Sequence, residues 1–259
     1  MPEAPEAKYL ELMLRKAVLG KKILKITSNT KTTKNLPKPS KVVDSGSRGK
    51  IFWLKTEDYW VHLHMGLTGW LTFWEPKIYK YVLHFDGIDV WLKDQRRFSR
   101  IDIFKTDTDH KKALGKIGTC IFCPDFTLEK FKELLGNGKR NISAFLLDQK
   151  KLAGVGNYIR NDALYIAGIS PKRKINDLTD TEKKKLYEAI MFVIYSSLKT
   201  WLEDENIPIP SRLSKLAPKR LSVPYRMRVY DREVDQAGRK IKKEMFAGRK
   251  TFWVPEKQM

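Results

Sequence analysis

The chain has 259 residues, of which 51 are Lys or Arg and 30 are Asp or Glu, so its formal charge is +21. Self-repulsion of that size works against the compact state and points to a polyanionic partner, nucleic acid ahead of an anionic membrane. A hydrophobic content of 42% argues against wholesale disorder, the lack of an apolar run of about 18 residues argues against a spanning helix, and only two cysteines, Cys120 and Cys123, exclude a disulfide framework.

Residues 5–19 carry Leu10, Met13, Leu14, Ala17 and Val18 at helical spacing, with Gly20 as a stop, so an amphipathic helix leads the chain. Residues 31–41, rich in lysine, threonine and proline, read as an exposed basic loop. From Lys22 to about Lys105 short runs rich in Ile, Val, Trp, Tyr and Phe predict strands, among them 51–54, 60–63, 79–85 and 89–92. Asp86-Gly87 between the last two is a hairpin signal, and the density of short strands suggests a sandwich or a barrel. After Pro124 the period lengthens, predicting helices over 128–135, 142–147, 157–166 and 181–202, the last opened by a Thr179/Glu182 capping box. Residues 227–254 return to strand texture, with Gln236-Ala237-Gly238 as the expected turn of a hairpin. Two domains are expected, 1–125 and 126–259.

The N-terminus reads Met1-Pro2-Glu3-Ala4-Pro5-Glu6, which serves as an ordinary first helical turn and also has a chemical reading. Removal of Met1, which a small second residue permits, leaves Pro2 with a free secondary amine. An α-amino pKa of about 7.7–8.0 leaves roughly 10–20% of such groups neutral at pH 7, against well below 1% for a lysine. Its attack on a sugar C1′ gives an iminium, an electron sink that acidifies the neighbouring C–H. Glu3 stands beside it as a general acid.

Four further stretches follow in order: Arg48-Gly49-Lys50-Ile51-Phe52-Trp53-Leu54; His62-Leu63-His64-Met65-Gly66-Leu67-Thr68-Gly69; Asp94-Gln95-Arg96-Arg97-Phe98; and Gly154-Val155-Gly156-Asn157-Tyr158-Ile159-Arg160-Asn161-Asp162, with Ala167-Gly168-Ile169-Ser170-Pro171 behind it. With the N-terminus, this set resembles the formamidopyrimidine-DNA glycosylase / endonuclease VIII family of base-excision repair enzymes, and the likeness runs from Pro2 to Phe252.

The resemblance implies a two-domain α+β fold: an N-terminal β-sandwich with its leading helix, then a helical domain with a helix-two-turn-helix element and an antiparallel finger, with DNA in the cleft between. It implies that Pro2 is the Schiff-base nucleophile, Glu3 the acid that assists sugar-ring opening, Glu6 a supporting carboxylate, and Lys50 a strand lysine that binds phosphate or assists catalysis. Leu67, Arg96 and Phe98 would fill the void left by an extruded nucleotide, since a hole in a base stack is filled by apolar side chains and an arginine. His64, Asn157 and Arg249 would contact phosphate, Asn157 from a Gly-Val-Gly-Asn helix start whose N–H groups suit an anion. Asp162 stands where the family has a glutamate.

Residues 229–254 contain neither Cys nor His. The finger therefore resembles the zinc-less type of the endonuclease VIII-like branch, with its tip at Gly248-Arg249-Lys250-Thr251-Phe252-Trp253 and apolar support from Tyr230, Ile241, Phe252 and Trp253. Cys120 and Cys123 read as two reduced thiols at the end of the first domain, with His110 nearby in sequence and no fourth ligand in view. Lys183, Lys184 and Lys185 read as the solvated face of the long helix. The implied function is bifunctional: a DNA glycosylase and abasic-site lyase that uses β,δ-elimination, without metal or organic cofactor, on oxidised bases, chiefly pyrimidines and hydantoins. The expected partner is damaged or abasic duplex DNA, with single-stranded and bubble DNA open, for a monomeric intracellular protein, nuclear or cytoplasmic by source. The alternative is a non-catalytic reader of damaged DNA or of DNA structure.

Overall fold

The apolar spacing of the first helix becomes α1 (Ala4–Val18), in which Leu10, Leu14 and Val18 are completely buried. The computed structural model describes residues 2–30, 34–246 and 248–259. Lys31, Thr32 and Thr33 of the expected basic loop lie outside the described residues, as does Met1. The chain divides into two units, Met1–Lys116 and Ile117–Met259. No helix among the described residues is long and apolar enough to cross a membrane.

The first unit is a β-sandwich behind α1. Its strands are β1 (Lys22–Ser28), β2 (Ser40–Arg48), β3 (Ile51–Thr56), β4 (Trp60–His64), β5 (Trp70–Thr72), β6 (Tyr81–Phe85), β7 (Ile88–Lys93) and β8 (Arg100–Phe104). They form one ladder in the order β5-β7-β6-β1-β2-β3-β4-β8. Strand β2 belongs to both layers: its first residues, Ser40 and Lys41, pair with β1, while Val42 and Asp44 to Arg48 pair with β3, with a register shift at Val43. Alternate residues of β3, namely Phe52, Leu54 and Thr56, point into the core, where Val61, Leu63, Leu83, Val90, Leu92 and Ile101 are also buried. Asp86 and Gly87, the latter at φ +73°, close the β6–β7 hairpin as expected. Helix α1 packs on β2 and β3. There a buried Lys8–Glu11 pair (2.9 Å) is joined by the Ser45 hydroxyl, which donates to Glu11, and Tyr9 stacks on Trp70 at 5.9 Å between centroids. One helix escapes the sequence reading. In α2 (Asp107–Gly115) only His110 is buried, so no apolar stripe marks it.

The second unit begins earlier than the expected 125/126 boundary. Strand β9 (Thr119–Cys120) pairs in parallel with β10 (Leu152–Ala153), which ties 119–120 into the helical unit. Cys120 and Cys123 therefore belong to the second unit rather than ending the first, and they are not joined in a disulfide. The helices are α3 (Leu128–Leu135), α4 (Ile142–Leu146), α5 (Asn157–Ala167), α6 (Asp180–Asp204) and the short α7 (Ser211–Ser214). Two turns link α4 to α5, giving the helix-two-turn-helix element. The capping box of α6 forms: Glu182 N–H donates to the Thr179 hydroxyl oxygen (3.2 Å), and Thr179 N–H donates to Glu182 Oε2 (2.7 Å). Lys184 and Lys185 are exposed, but Lys183 is buried, because it shares its helix face with Leu186, Ile190 and Ile194 and lays its stem along them.

The finger ladder is β11 (Lys242–Phe246) against β12 (Arg249–Trp253), later than the expected turn. Gln236-Ala237-Gly238 does turn, but it closes only the isolated bridge between Val234 and Lys240. Phe252, Ile241, Val229 and Val254 pack with Tyr165 of α5 as an apolar cluster. Beside it the Asp235 carboxylate accepts from the Tyr165 hydroxyl (3.0 Å), from Arg239 Nε (2.8 Å) and from the N–H groups of Ala237 and Arg239 (2.9 Å each). Burial alone raises this carboxyl, but the donors outweigh it and bring the pKa from 3.8 down to about 2. A pKa below the unfolded value means stability that is complete above pH ~4 and lost as pH falls through ~2, worth about 2 kcal/mol. Urea unfolding of wild type and Asp235→Asn should therefore differ most at pH 7, with about half of that difference gone by pH 3. A difference unchanged at pH 3 would refute this account.

Candidate functional site

The head of α1 gathers three of the singled-out residues. Pro2 and Glu3 are buried, Glu3 to 2% exposure. Glu3 precedes the helix in extended backbone, and its N–H donates to Glu6 Oε2 at 2.8 Å. Pro5 needs no N–H partner in the first turn, and a carboxylate there complements the helix dipole. The acids thus start the helix, and in doing so Glu6 fixes Glu3 beside Pro2, out of bulk water.

A basic row runs from the turn before β3 to the ends of β4 and β8. Ile51 pairs with His64, and His64 pairs with Arg100. Lys50 lies not at the strand start but within the two-residue Gly49-Lys50 turn, where Gly49 has φ +60°, and it neighbours His64 closely enough to lower that imidazole's pKa. Burial is the larger cause, followed by Arg100 and then Lys50, so His64 is neutral near pH 7. The Gly66 N–H donates to His64 Nδ1 (3.1 Å), which leaves the ring proton on Nε2 as a donor. His64, Arg100, Asp102 and Lys116 help to line a hollow of about 210 Å³. His110 is engaged within its own unit. Its Nδ1 lies 2.8 Å from His62 Nε2, and His62 is pushed down to about 4 by burial first and by His110 second.

The three void-filling candidates are held by one buried carboxylate. Asp94, 0% exposed, accepts from the Thr68 hydroxyl (2.6 Å) through Oδ1 and from Ser99 N–H (2.6 Å) through Oδ2. Arg96 N–H donates back to the Thr68 oxygen (3.1 Å), which locks the 66–68 turn to the 94–99 loop. The two loops touch so closely that a Cβ on Gly66 would lie 2.7 Å from the Phe98 carbonyl carbon, and Gly66 also has φ +61°. From this base Phe98 projects 61% exposed, Arg96 is exposed and Leu67 is half-buried. Lys80 braces the loop from the residue before β6, donating to the carbonyls of Arg97 (2.8 Å) and Ser99 (2.6 Å).

In the second unit, Asn157 opens α5 and donates from Nδ2 to the Lys250 carbonyl (3.0 Å), next to Arg249. One amide hydrogen of Asn157 thus goes to the finger rather than to an anion. Arg249 is exposed beside the tip, and its side chain makes no hydrogen bond or ion pair among the described residues. Behind Asn157, three consecutive buried residues fasten α5 to the finger. Arg160 Nη2 reaches the Thr251 hydroxyl (2.8 Å), and Asn161 Oδ1 accepts from Phe252 N–H (3.3 Å). Asp162 accepts from the Tyr225 hydroxyl (2.7 Å) and from three successive N–H groups, Arg228 (2.8 Å), Val229 (3.0 Å) and Tyr230 (3.2 Å). Burial pushes this carboxyl up against the pull of those donors.

The models of two families match in the same order as these clusters: the formamidopyrimidine-DNA glycosylase N-terminal domain over residues 1–101, and the formamidopyrimidine-DNA glycosylase H2TH domain over residues 117–204. The formamidopyrimidine-DNA glycosylase of Desulfitobacterium hafniense is 30% identical over 210 residues, covering 75% of this chain and 77% of its own. The chain belongs to the formamidopyrimidine-DNA glycosylase family. It is accordingly a DNA glycosylase of base-excision repair with abasic-site lyase activity. The glycosylase of Thermus thermophilus is 28% identical over 267 residues, 98% of this chain and 97% of its own. The crystal structure of the MutM (Fpg) protein from that organism superposes with a TM-score of 0.81 at 26% identity, covering 99% and 98% of the two chains.

Within this family fold, sequence reasoning passed over Asp94, Lys80, Arg160 and Asn161. A signal existed for the last two, since Arg160-Asn161-Asp162 interrupts a helix otherwise rich in apolar residues. Lys80 carries none, being one of 51 basic residues.

Proposed function

We propose that this glycosylase excises oxidised pyrimidines and hydantoins and then cuts the strand by β,δ-elimination through a Schiff base on Pro2. The observation that carries the reading is Glu3, a carboxyl shielded from water at the helix head and fixed through Glu6 beside Pro2. Once Met1 is removed, the Pro2 nitrogen forms a bond to C1′ while the bond from C1′ to the damaged base breaks, and the base departs with its electron pair and a proton. Glu3 protonates O4′, the sugar ring opens, and the nitrogen lone pair makes the iminium. Loss of a C2′ proton then sends electrons to expel the 3′ phosphate, a second elimination expels the 5′ phosphate, and water releases Pro2. Phe98, Leu67 and Arg96 enter the stack in place of the extruded nucleotide. His64, Lys50, Asn157 and Arg249 hold phosphates, and the Cys- and His-free segment 229–254 favours the endonuclease VIII-like branch.

Borohydride reduction tests this. Met1-free protein incubated with DNA bearing an abasic site or an oxidised pyrimidine should give a covalent complex whose adduct maps to residue 2, and Pro2→Gly should abolish the adduct while still binding. Tight binding without any adduct would overturn the Schiff base on Pro2.

A further inference from the structure

Beside the Phe98 loop the first unit carries a second exposed apolar feature with no place in the chemistry above. In the segment between β5 and β6, Trp74 is 68% exposed, Ile78 40% and Phe73 37%. Trp74, Ile78 and Lys77 line a hollow of about 440 Å³ together with Glu75, Pro76, Lys93 and Gln95. The segment is anchored: Thr72 Oγ1 donates to the Trp74 carbonyl (2.8 Å), Pro76 is buried, and Tyr79 packs edge-on against Trp91 at 4.7 Å. The indole is thus held in water by a fixed backbone, an arrangement that ordinary core packing does not produce.

We infer that Trp74 is a stacking platform for an unpaired nucleobase of DNA, with Lys77 and Lys93 holding the adjoining phosphates. Two observations choose DNA over a protein partner. The rim is cationic, two lysines against the single acid Glu75, on a chain of charge +21. The hollow is also continuous with the void-filling loop, since Gln95 lines it and Lys80, at the end of the same segment, donates to the carbonyls of Arg97 and Ser99. An aromatic face flanked by two lysines accepts any base, because every base has a π-face, and the phosphates then fall to the cations. This assignment rests on the proposed role of the Phe98 loop in DNA. It adds a preference for DNA that is already unpaired near the lesion, in a bubble, gap or single strand.

The test compares wild type, Trp74→Ala and Trp74→Phe by fluorescence anisotropy on an intact duplex and on a bubble with 2-aminopurine among its unpaired bases. Trp74→Ala should bind the bubble about 5- to 150-fold more weakly, the range of one lost base stack. It should leave 2-aminopurine unquenched and bind the intact duplex unchanged, while Trp74→Phe restores most of the binding and quenching. Borohydride trapping on an abasic duplex runs in parallel and should be unaffected in Trp74→Ala. Equal bubble affinity and quenching in wild type and Trp74→Ala would overturn the platform, whatever the trapping result, and assign the patch to a partner other than DNA. Lost bubble binding in a protein that never traps would keep the platform and remove the Pro2 chemistry.

Discussion

Glu3→Gln should slow base excision by about 10²–10⁴-fold, the usual worth of a positioned general acid. The amide is nearly isosteric, and the hydrogen bond from residue 3 to Glu6 uses the backbone N–H, so the helix head and the fold should survive. What the amide lacks is a transferable proton for O4′. A pre-formed abasic site already equilibrates with its open-chain aldehyde, so trapping on that substrate should fall far less than excision of an intact damaged base. Single-turnover rates on the two substrates, with melting temperatures matched, make the comparison. Equal losses on both would show that Glu3 acts after ring opening, and excision within a few-fold of wild type would remove it from the mechanism.

Asp162→Ala should cost about 3–5 kcal/mol, among the largest single effects available in the second unit. The substitution strands three consecutive backbone N–H groups, Arg228 to Tyr230, and the Tyr225 hydroxyl around a buried void. Each unsatisfied buried donor costs about 1–3 kcal/mol, partly relieved if the segment moves out to water. That movement is the functional penalty, because residues 225–230 lead into the finger that carries Arg249. Urea unfolding measures the stability, and hydrogen exchange at residues 228–230 should show lost protection ahead of the rest of the unit. A loss below about 1 kcal/mol, no more than one such donor, would mean that the segment is held by its apolar packing instead.

Periodicity made α3, α5 and α6 legible to within a few residues, because each has a clear apolar stripe or a cap. It failed for α2, whose burial rests on His110 alone, and for most of β2, whose Asp44-Ser45-Gly46-Ser47 has none of the β-branched or aromatic residues that mark a strand. Gly46 is in a strand because the Trp53 indole covers it, leaving 2.6 Å to any added Cβ, and that is a property of the neighbouring strand. The candidate site residues stand in linear motifs that a sequence displays, as at Pro2-Glu3 and at Asp94-Gln95-Arg96-Arg97-Phe98. Their supports do not. The purpose of Asp94 depends on Thr68, 26 residues away, and that of Asp162 on groups more than 60 residues away.

Phe98 stands out in water in the free protein, on a loop whose Arg97 already has φ +57°. An exposed ring of that size forgoes about 1.5–3 kcal/mol of burial, and the left-handed backbone adds roughly 1–2 kcal/mol. Both sit in the ground state before any duplex is met. If Phe98 fills the void as proposed, the wedge arrives formed, and a stack with a gap recovers the deficit while a sound one does not. Discrimination of this kind would fall on dwell time and not on the frequency of encounter: under that proposal the protein leaves a sound stack quickly and lingers at a weakened one.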